Sequence, residues 1–130
     1  MSWTGQDTPE KLRDEILIFM EEQYEITPQE AQNRLTNRSG AILIDVREPE
    51  EFALAKVENS QLIPMQTIPA QLQKLEQMAD ENTLLVLCHH GVRSLQVVAW
   101  LRQQGIEDCY SVAGGIDRWS REVDTNVPRY

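Results

Sequence analysis

The sequence predicts an α/β domain in which a parallel sheet is covered by helices on both faces, and three observations carry that prediction. Ala41-Ile42-Leu43-Ile44-Asp45-Val46 and Leu84-Leu85-Val86-Leu87 are short apolar runs without the alternation of a half-exposed strand, so they read as strands buried on both sides. Segments with helical apolar spacing fall between such runs. Proline, glycine and hydroxyl residues stand at the junctions, where turns and helix caps need them.

In chain order, Thr8-Pro9-Glu10 supplies an N-cap, a proline at the first helical position and an acid in the first turn. Leu12, Ile16, Phe19, Met20 and Tyr24 then recur at helical spacing, so an amphipathic helix is expected from about Pro9 to Gln23. Its apolar stripe either docks on its own domain or presents a partner or dimer surface. Residues 1–24 are therefore read as an N-terminal extension and 25–130 as the domain proper. Tyr24-Glu25-Ile26 is a short strand, and Thr27-Pro28 caps a second helix that carries Ala31 and Leu35 and breaks at Ser39-Gly40. After the strand at 41–46, Arg47-Glu48-Pro49 leads into a short helix through Phe52. A shorter strand, Gln61-Leu62-Ile63-Pro64, precedes a helix marked by Ile68, Leu72, Leu75 and Met78. The strand at 84–87, a helix from Ser94 to Gln104 stopped by Gly105, the strand Cys109-Tyr110-Ser111-Val112 and a last helix near Ile116 to Glu122 complete the order.

Charge and cysteine usage narrow the function. With 12 Lys and Arg against 21 Asp and Glu the net charge is −9, which disfavours nucleic acid as a partner because phosphate contacts need clustered cations. No stretch is long and apolar enough to span a membrane, and Met1 to Glu15 is polar and acidic without a signal-peptide core, so a cytoplasmic location is expected. The two cysteines, Cys88 and Cys109, form no C-x-x-C pair. Cys88 closes one strand and Cys109 opens the next, which places them at opposite ends of a parallel sheet, beyond the roughly 7 Å that a disulfide spans. Cys109 is expected in the core.

Cys88 is the candidate nucleophile. It follows a buried strand, precedes His89-His90-Gly91-Val92-Arg93-Ser94, and is followed by an amphipathic helix. Ligand sites in open α/β sheets lie just beyond the carboxyl ends of the strands. There the loop amides and the positive end of the helix favour an anion, and so the thiolate over the thiol. The backbone of His89, His90, Gly91, Val92, Arg93 and Ser94 is read as the anion cradle. A cation opposes the dipole at a helix start, so Arg93 is expected to point into the loop and help bind an anion. Ser94 either caps the helix or hydrogen-bonds the sulfur. His89 and His90 add partial positive charge or stand as polar side chains in water. Asp45 and Arg47, at the carboxyl end of their strand, are expected to fix the neighbouring loop through an ion pair or a backbone hydrogen bond. Gly114-Gly115 gives the turn before the last helix, and adjacent Cys-His-His is poor spacing for a single zinc ion, so neither metal nor cofactor is called for.

Three pieces in order, Leu43-Ile44-Asp45-Val46-Arg47-Glu48-Pro49 with Glu51-Phe52, Leu84 to Ser94 with its C-x-x-G-x-R-S loop, and Val112-Ala113-Gly114-Gly115-Ile116 with Trp119, resemble the rhodanese family of sulfurtransferases. The resemblance implies a rhodanese-like parallel sheet and sulfur transfer through a persulfide on Cys88. It implies a small anionic sulfur donor such as thiosulfate, and cyanide, a thiol or a protein as acceptor. One stretch departs from the family, which often carries Gly-His-Ile-x-Gly-Ala where this chain has Ala55-Lys56-Val57-Glu58-Asn59-Ser60. That puts the local turn geometry in question.

Two other functions compete. A cysteine phosphatase or arsenate reductase also surrounds an anion with Cys and Arg, but its C-x-x-x-x-x-R loop has one residue more than the stretch from Cys88 to Arg93. A tetrahedral oxyanion needs the wider loop. The remaining alternative is a non-catalytic binding or regulatory module that keeps the loop without turnover.

Overall fold

The computed structural model describes residues 24–37 and 40–130. The helix expected from Pro9 to Gln23 lies outside the described residues, as does Ser39. The elements are β1 (Glu25–Ile26), α1 (Pro28–Thr36), β2 (Ala41–Asp45), α2 (Pro49–Leu54), β3 (Gln61–Leu62), α3 (Leu72–Ala79), β4 (Thr83–Leu87), α4 (Val92–Gln103), β5 (Cys109–Val112) and α5 (Gly115–Glu122). Every strand pairing is parallel, in the order β1-β5-β4-β2-β3, so the sheet and its helical cover are those read from the sequence. No helix among the described residues is long and apolar enough to cross a membrane.

Strand pleating sorts the core into two layers. Leu84, Val86 and Cys88 face one side with Ile44, Val46, Leu75, Val97, Val98 and Leu101, beneath α3 and α4. Leu85 and Leu87 face the other with Leu43, Ala31, Ile116 and Trp119, beneath α1 and α5. β4 is central, and Leu84 through Leu87 have no exposed surface at all, which explains its unbroken apolar run. Cys109 is likewise fully buried, and its register opposite Leu84 puts it at the far end of the sheet from Cys88.

α3 and β3 differ from expectation at their edges, whereas α1 starts as read. Thr27 caps α1 as expected, its hydroxyl accepting from Glu30 N–H at 3.1 Å. The helix expected from Ile68 begins instead as two 3-10 turns, Met65–Thr67 and Pro69–Gln71, because Pro69 has no N–H to give. β3 ends at Leu62, although Ile63 N–H still reaches Asp45 O at 2.8 Å and Met65 N–H reaches Val46 O at 3.0 Å around the donorless Pro64. In the stretch that departs from the family pattern, Asn59 adopts φ +67°, the left-handed conformation that asparagine tolerates better than most residues. A left-handed residue thus stands where the family pattern often has glycine.

Beyond β2 the buried Arg47 organises the chain. Its Nε lies 2.9 Å and its Nη2 2.7 Å from the carboxylate oxygens of Asp45, and neither side chain has any exposed surface. Nη2 also donates to Ala55 O at 2.6 Å, and Nη1 to Glu51 O at 3.3 Å and to Tyr130 Oη at 2.8 Å. Asp45 in turn accepts from Arg47 N–H at 3.0 Å. The ion pair thus ties β2 to both ends of α2. Replacing Arg47 with alanine strands a buried carboxylate, and the expected cost is about 3–5 kcal/mol, read as a lower urea midpoint. Arg47→Lys should recover only part of it, since one ammonium cannot serve four separated acceptors.

Candidate active site

The site grows from the end of β4. The chain must leave the strand and enter α4 within a few residues, and Gly91 makes the turn at φ +101°, ψ −6°. Gly91 is therefore the N-cap and α4 begins at Val92, two residues before the expected start. Ser94 is not the cap but lies in the first turn, which frees its side chain for the sulfur.

Three polar groups converge on Cys88 Sγ: Gly91 N–H at 3.1 Å, Ser94 N–H at 3.3 Å and Ser94 Oγ at 3.3 Å. Ser94 Oγ lies 2.7 Å from Ser111 Oγ, so a chain of hydroxyls runs from the sulfur to β5. Cys88 is 1% exposed, and both serines are fully buried. Val92 and Arg93, the first residues of α4, have no carbonyl four residues back within the helix, so their N–H groups lack an intrahelical partner. The result is a small cradle of neutral dipoles suited to an anionic sulfur.

The cradle is braced from behind by α5. Ile116 N–H donates to Cys88 O at 2.8 Å and Asp117 N–H to His89 O at 3.1 Å. Gly115 makes this approach possible, since a Cβ there would overlap the carbonyl oxygens of both Cys88 and His89. The Gly114-Gly115 pair thus does more than turn the chain. It lets the last helix hold the loop that carries the thiol.

Unlike Ser94, the loop side chains Arg93 and His89 find their hydrogen-bond partners away from the sulfur, although Arg93 still interacts electrostatically with Cys88. Arg93 reaches α2, with Nη1 2.6 Å from Glu51 Oε1 and Nη2 3.0 Å from Glu51 Oε2. The arginine holds the Glu51 carboxyl down at about 2, aided by Tyr130 Oη–H, which donates to Oε2 at 2.6 Å, and by Glu48 N–H. The same carboxylate raises Arg93 further above its already high value. His89 stacks on the Tyr130 ring with centroids 4.0 Å apart and planes 7° from parallel, and its Nε2 donates to Tyr130 O at 3.0 Å. Burial, and then the neighbouring His90, lower the His89 pKa, so the imidazole is neutral at neutral pH and does not add the positive charge considered for it. His90 is exposed and Val92 is 67% exposed, at the rim.

Of the residues proposed from sequence, Cys88, Gly91 and Ser94 meet at the sulfur, whereas Arg93 and His89 meet Glu51 and Tyr130. Three participants went unforeseen. Ser111 was legible in principle, because it shares a sheet face with Cys109 and pairs with Val86 on β4. Glu51 stood inside a recognised motif without any sign of its partner, which lies 42 residues away. Tyr130 left no local signal.

A cysteine cradled between a parallel β-strand and a helix N-terminus defines an anion-binding thiol loop of an α/β protein, and comparison with known proteins gives the family. The Rhodanese-like domain family model matches residues 27–122, and the chain belongs to that family. It is 34% identical over 98 residues to thiosulfate sulfurtransferase GlpE of Vibrio cholerae, covering 75% of this chain and 87% of that protein. It is 36% identical over 91 residues to the Rhodanese-like/PpiC domain-containing protein 12 of Arabidopsis thaliana, where the match covers 69% of this chain but 30% of the longer relative. Among solved structures, a rhodanese-like domain protein from Staphylococcus aureus superimposes with TM-score 0.66 at 33% identity, covering 82% of this chain and 98% of that one.

The Glu51 shift predicts a specific acid response. Its pKa is depressed in the folded state, so the stabilisation is complete above about 4.5 and is lost as pH falls from there through about 2. Glu51→Gln should therefore show a flatter decline in denaturation midpoint than the parent over that window. Equal slopes would mean that the Arg93 pair is energetically silent.

Proposed function

We propose that this protein is a sulfurtransferase that carries a sulfane sulfur as a persulfide on Cys88. The observation that carries this reading is the convergence of Gly91 N–H, Ser94 N–H and Ser94 Oγ on one buried sulfur. Cys88 as thiolate attacks the outer sulfur of a donor, the donor's S–S bond breaks, and the leaving group departs with the electron pair. The loop then holds Cys88–S–S⁻. An acceptor thiolate or cyanide attacks the outer sulfur in turn, and Cys88 is released as thiolate. Both states of the enzyme carry one negative charge, so the same dipoles serve each, and no proton needs to move within the protein.

The roles follow from contact. In this reading Cys88 is the catalytic nucleophile, Gly91 and Ser94 hold its sulfur, and the first N–H groups of α4, which lack intrahelical partners, receive the second sulfur. Ser111 orients the Ser94 hydroxyl. Arg93, His89 and His90 shape the rim. Relatives named as thiosulfate sulfurtransferases support the class of reaction, and the burial of Cys88 supports a slender sulfur as cargo over a bulky tetrahedral oxyanion.

Incubation with a sulfane donor should add the mass of one sulfur atom to the intact protein, removable by reductant and absent from Cys88→Ser. Ser94→Ala removes one of the three groups that touch Cys88 Sγ, a hydrogen bond worth about 1.5–3 kcal/mol to a charged reacting group, and should slow turnover by roughly tenfold or more. An adduct that persists in Cys88→Ser would sink the proposal.

A further inference from the structure

α4 carries apolar side chains on more than the side that meets the sheet. Ser94, Val97, Val98 and Leu101 are its buried residues. At about 100° per residue, Arg93 and Trp100 fall on one flank, where Arg93 meets Glu51 and Trp100 lines a groove with Met65, Ile68 and Pro69. Val92, Leu95, Ala99 and Arg102 fall together on the other flank. Val92 is 67% exposed there, and Leu95 and Ala99 are half-buried. A helix that is apolar on two sides packs against a neighbour on both. The described chain begins beside that second flank. Tyr24 is helical, packs against the core cluster beneath α3 and α4, and has the Arg102 guanidinium 4.3 Å from its ring centroid. It is also the last member of the stripe Leu12, Ile16, Phe19, Met20 and Tyr24. The stripe is therefore anchored at the C-terminal end of α4.

We propose that residues 9–23, which lie outside the described residues, form a helix that runs parallel to α4 and seats Leu12, Ile16, Phe19 and Met20 on its Val92, Leu95 and Ala99 flank. The occupant of that flank is thus the chain's own N-terminal extension. Three observations select it over a second copy or another protein. Tyr24 is already in place, so the extension is tethered beside α4 and docking costs no translational freedom. The lengths match, since Leu12 to Tyr24 rises about 18 Å as a helix and the 12 residues of α4 rise about 18 Å as well. Charge agrees too: Glu21 and Glu22 stand within one turn of Tyr24 and so beside the Arg102 cation, while a net charge of −9 opposes the pairing of two copies. With Tyr24 at the Arg102 end, the start of the helix lies toward Val92, and the extension covers α4 up to the turn at Gly91. The inference does not depend on the sulfurtransferase reading.

The test is disulfide trapping in the full chain carrying Cys88→Ser, where the remaining thiol, Cys109, has no exposed surface. With Tyr24 beside Arg102, the parallel register sets Met20 against Ala99 and Ile16 against Leu95. Met20→Cys with Ala99→Cys, and Ile16→Cys with Leu95→Cys, should each close an intramolecular disulfide under mild copper–phenanthroline oxidation, read as the loss of two hydrogens from the intact monomer. Because a disulfide forms only where the Cα atoms come within roughly 7 Å, both pairs should close about tenfold or more faster than the out-of-register pair Ile16→Cys with Gln103→Cys. A second measurement uses Ile16→Glu with Met20→Glu in the otherwise unaltered chain. Charges in the stripe should undock it, so hydrogen exchange of the α4 amides should accelerate by about tenfold while that of β2 stays as in the parent. Should the cysteine pairs melt well below the parent, the exchange measurement decides; should β2 exchange rise with α4, the trapping decides. Disulfide-linked dimers in place of linked monomers would give the flank to a second copy and overturn the proposal. So would equal closure of in-register and out-of-register pairs, or α4 exchange that the two glutamates leave unchanged.

Discussion

The buried guanidinium of Arg47 is the contact on which the rest of the site depends. A charge without exposed surface must be fully paired, and here every direction of the guanidinium fork is used: Asp45 along one edge, Glu51 O on α2 and Ala55 O at its C-cap, and Tyr130 Oη at the far side. Each bond pins a segment that the sheet alone does not position. Through Tyr130 and Glu51 the network reaches Arg93 on α4, so the end of β2 and the loop after β4 are linked by side chains as well as by strand pairing. Removing any one partner leaves a polar group short of its bonds, which is the costly case for buried electrostatics.

Legibility in the sequence followed the range of the forces involved. Strands buried on both faces, a Thr-Pro helix start and a glycine at a tight turn are local or periodic effects, and β2, β4, α1 and the Cys88 loop were readable from them. Ser94 shows where local reasoning stops. It has the chemistry of an N-cap, but Gly91 at φ +101° already supplies the turn, so the hydroxyl is left for Cys88 and Ser111. Asn59 is the converse case, since a missing glycine put the turn in question and Asn59 itself adopts the left-handed conformation there. Arg93 was read as a cation directed into the loop, and its Glu51 partner could not be seen beforehand because it is distant in sequence and adjacent only after folding.

The two glycine positions at the loop serve opposite ends of the same requirement. Gly91 lets the backbone bend so that amides point inward at the sulfur, while Gly115 lets α5 come close enough for its first N–H groups to take the outward-facing carbonyls of Cys88 and His89. A loop whose N–H groups are turned toward an anion has its C=O groups turned away, and buried carbonyls need partners of their own. The helix N-terminus behind the loop is thus the complement of the helix N-terminus in front of it.

Holding the sulfur by dipoles instead of a full charge has a kinetic consequence. A strong cation in contact with a thiolate raises its population but lowers its intrinsic nucleophilicity, because reactivity falls with basicity along a shallow Brønsted slope of about 0.4–0.5. In the proposed sulfur transfer Cys88 is the attacker in the first half-reaction and the leaving group in the second, so an extreme in either direction slows one of them. Contacts from amides and a hydroxyl avoid either extreme. Diverting Arg93 to Glu51 leaves that balance intact, and the loop retains its arginine as a strut across to α2 without placing a guanidinium on the sulfur.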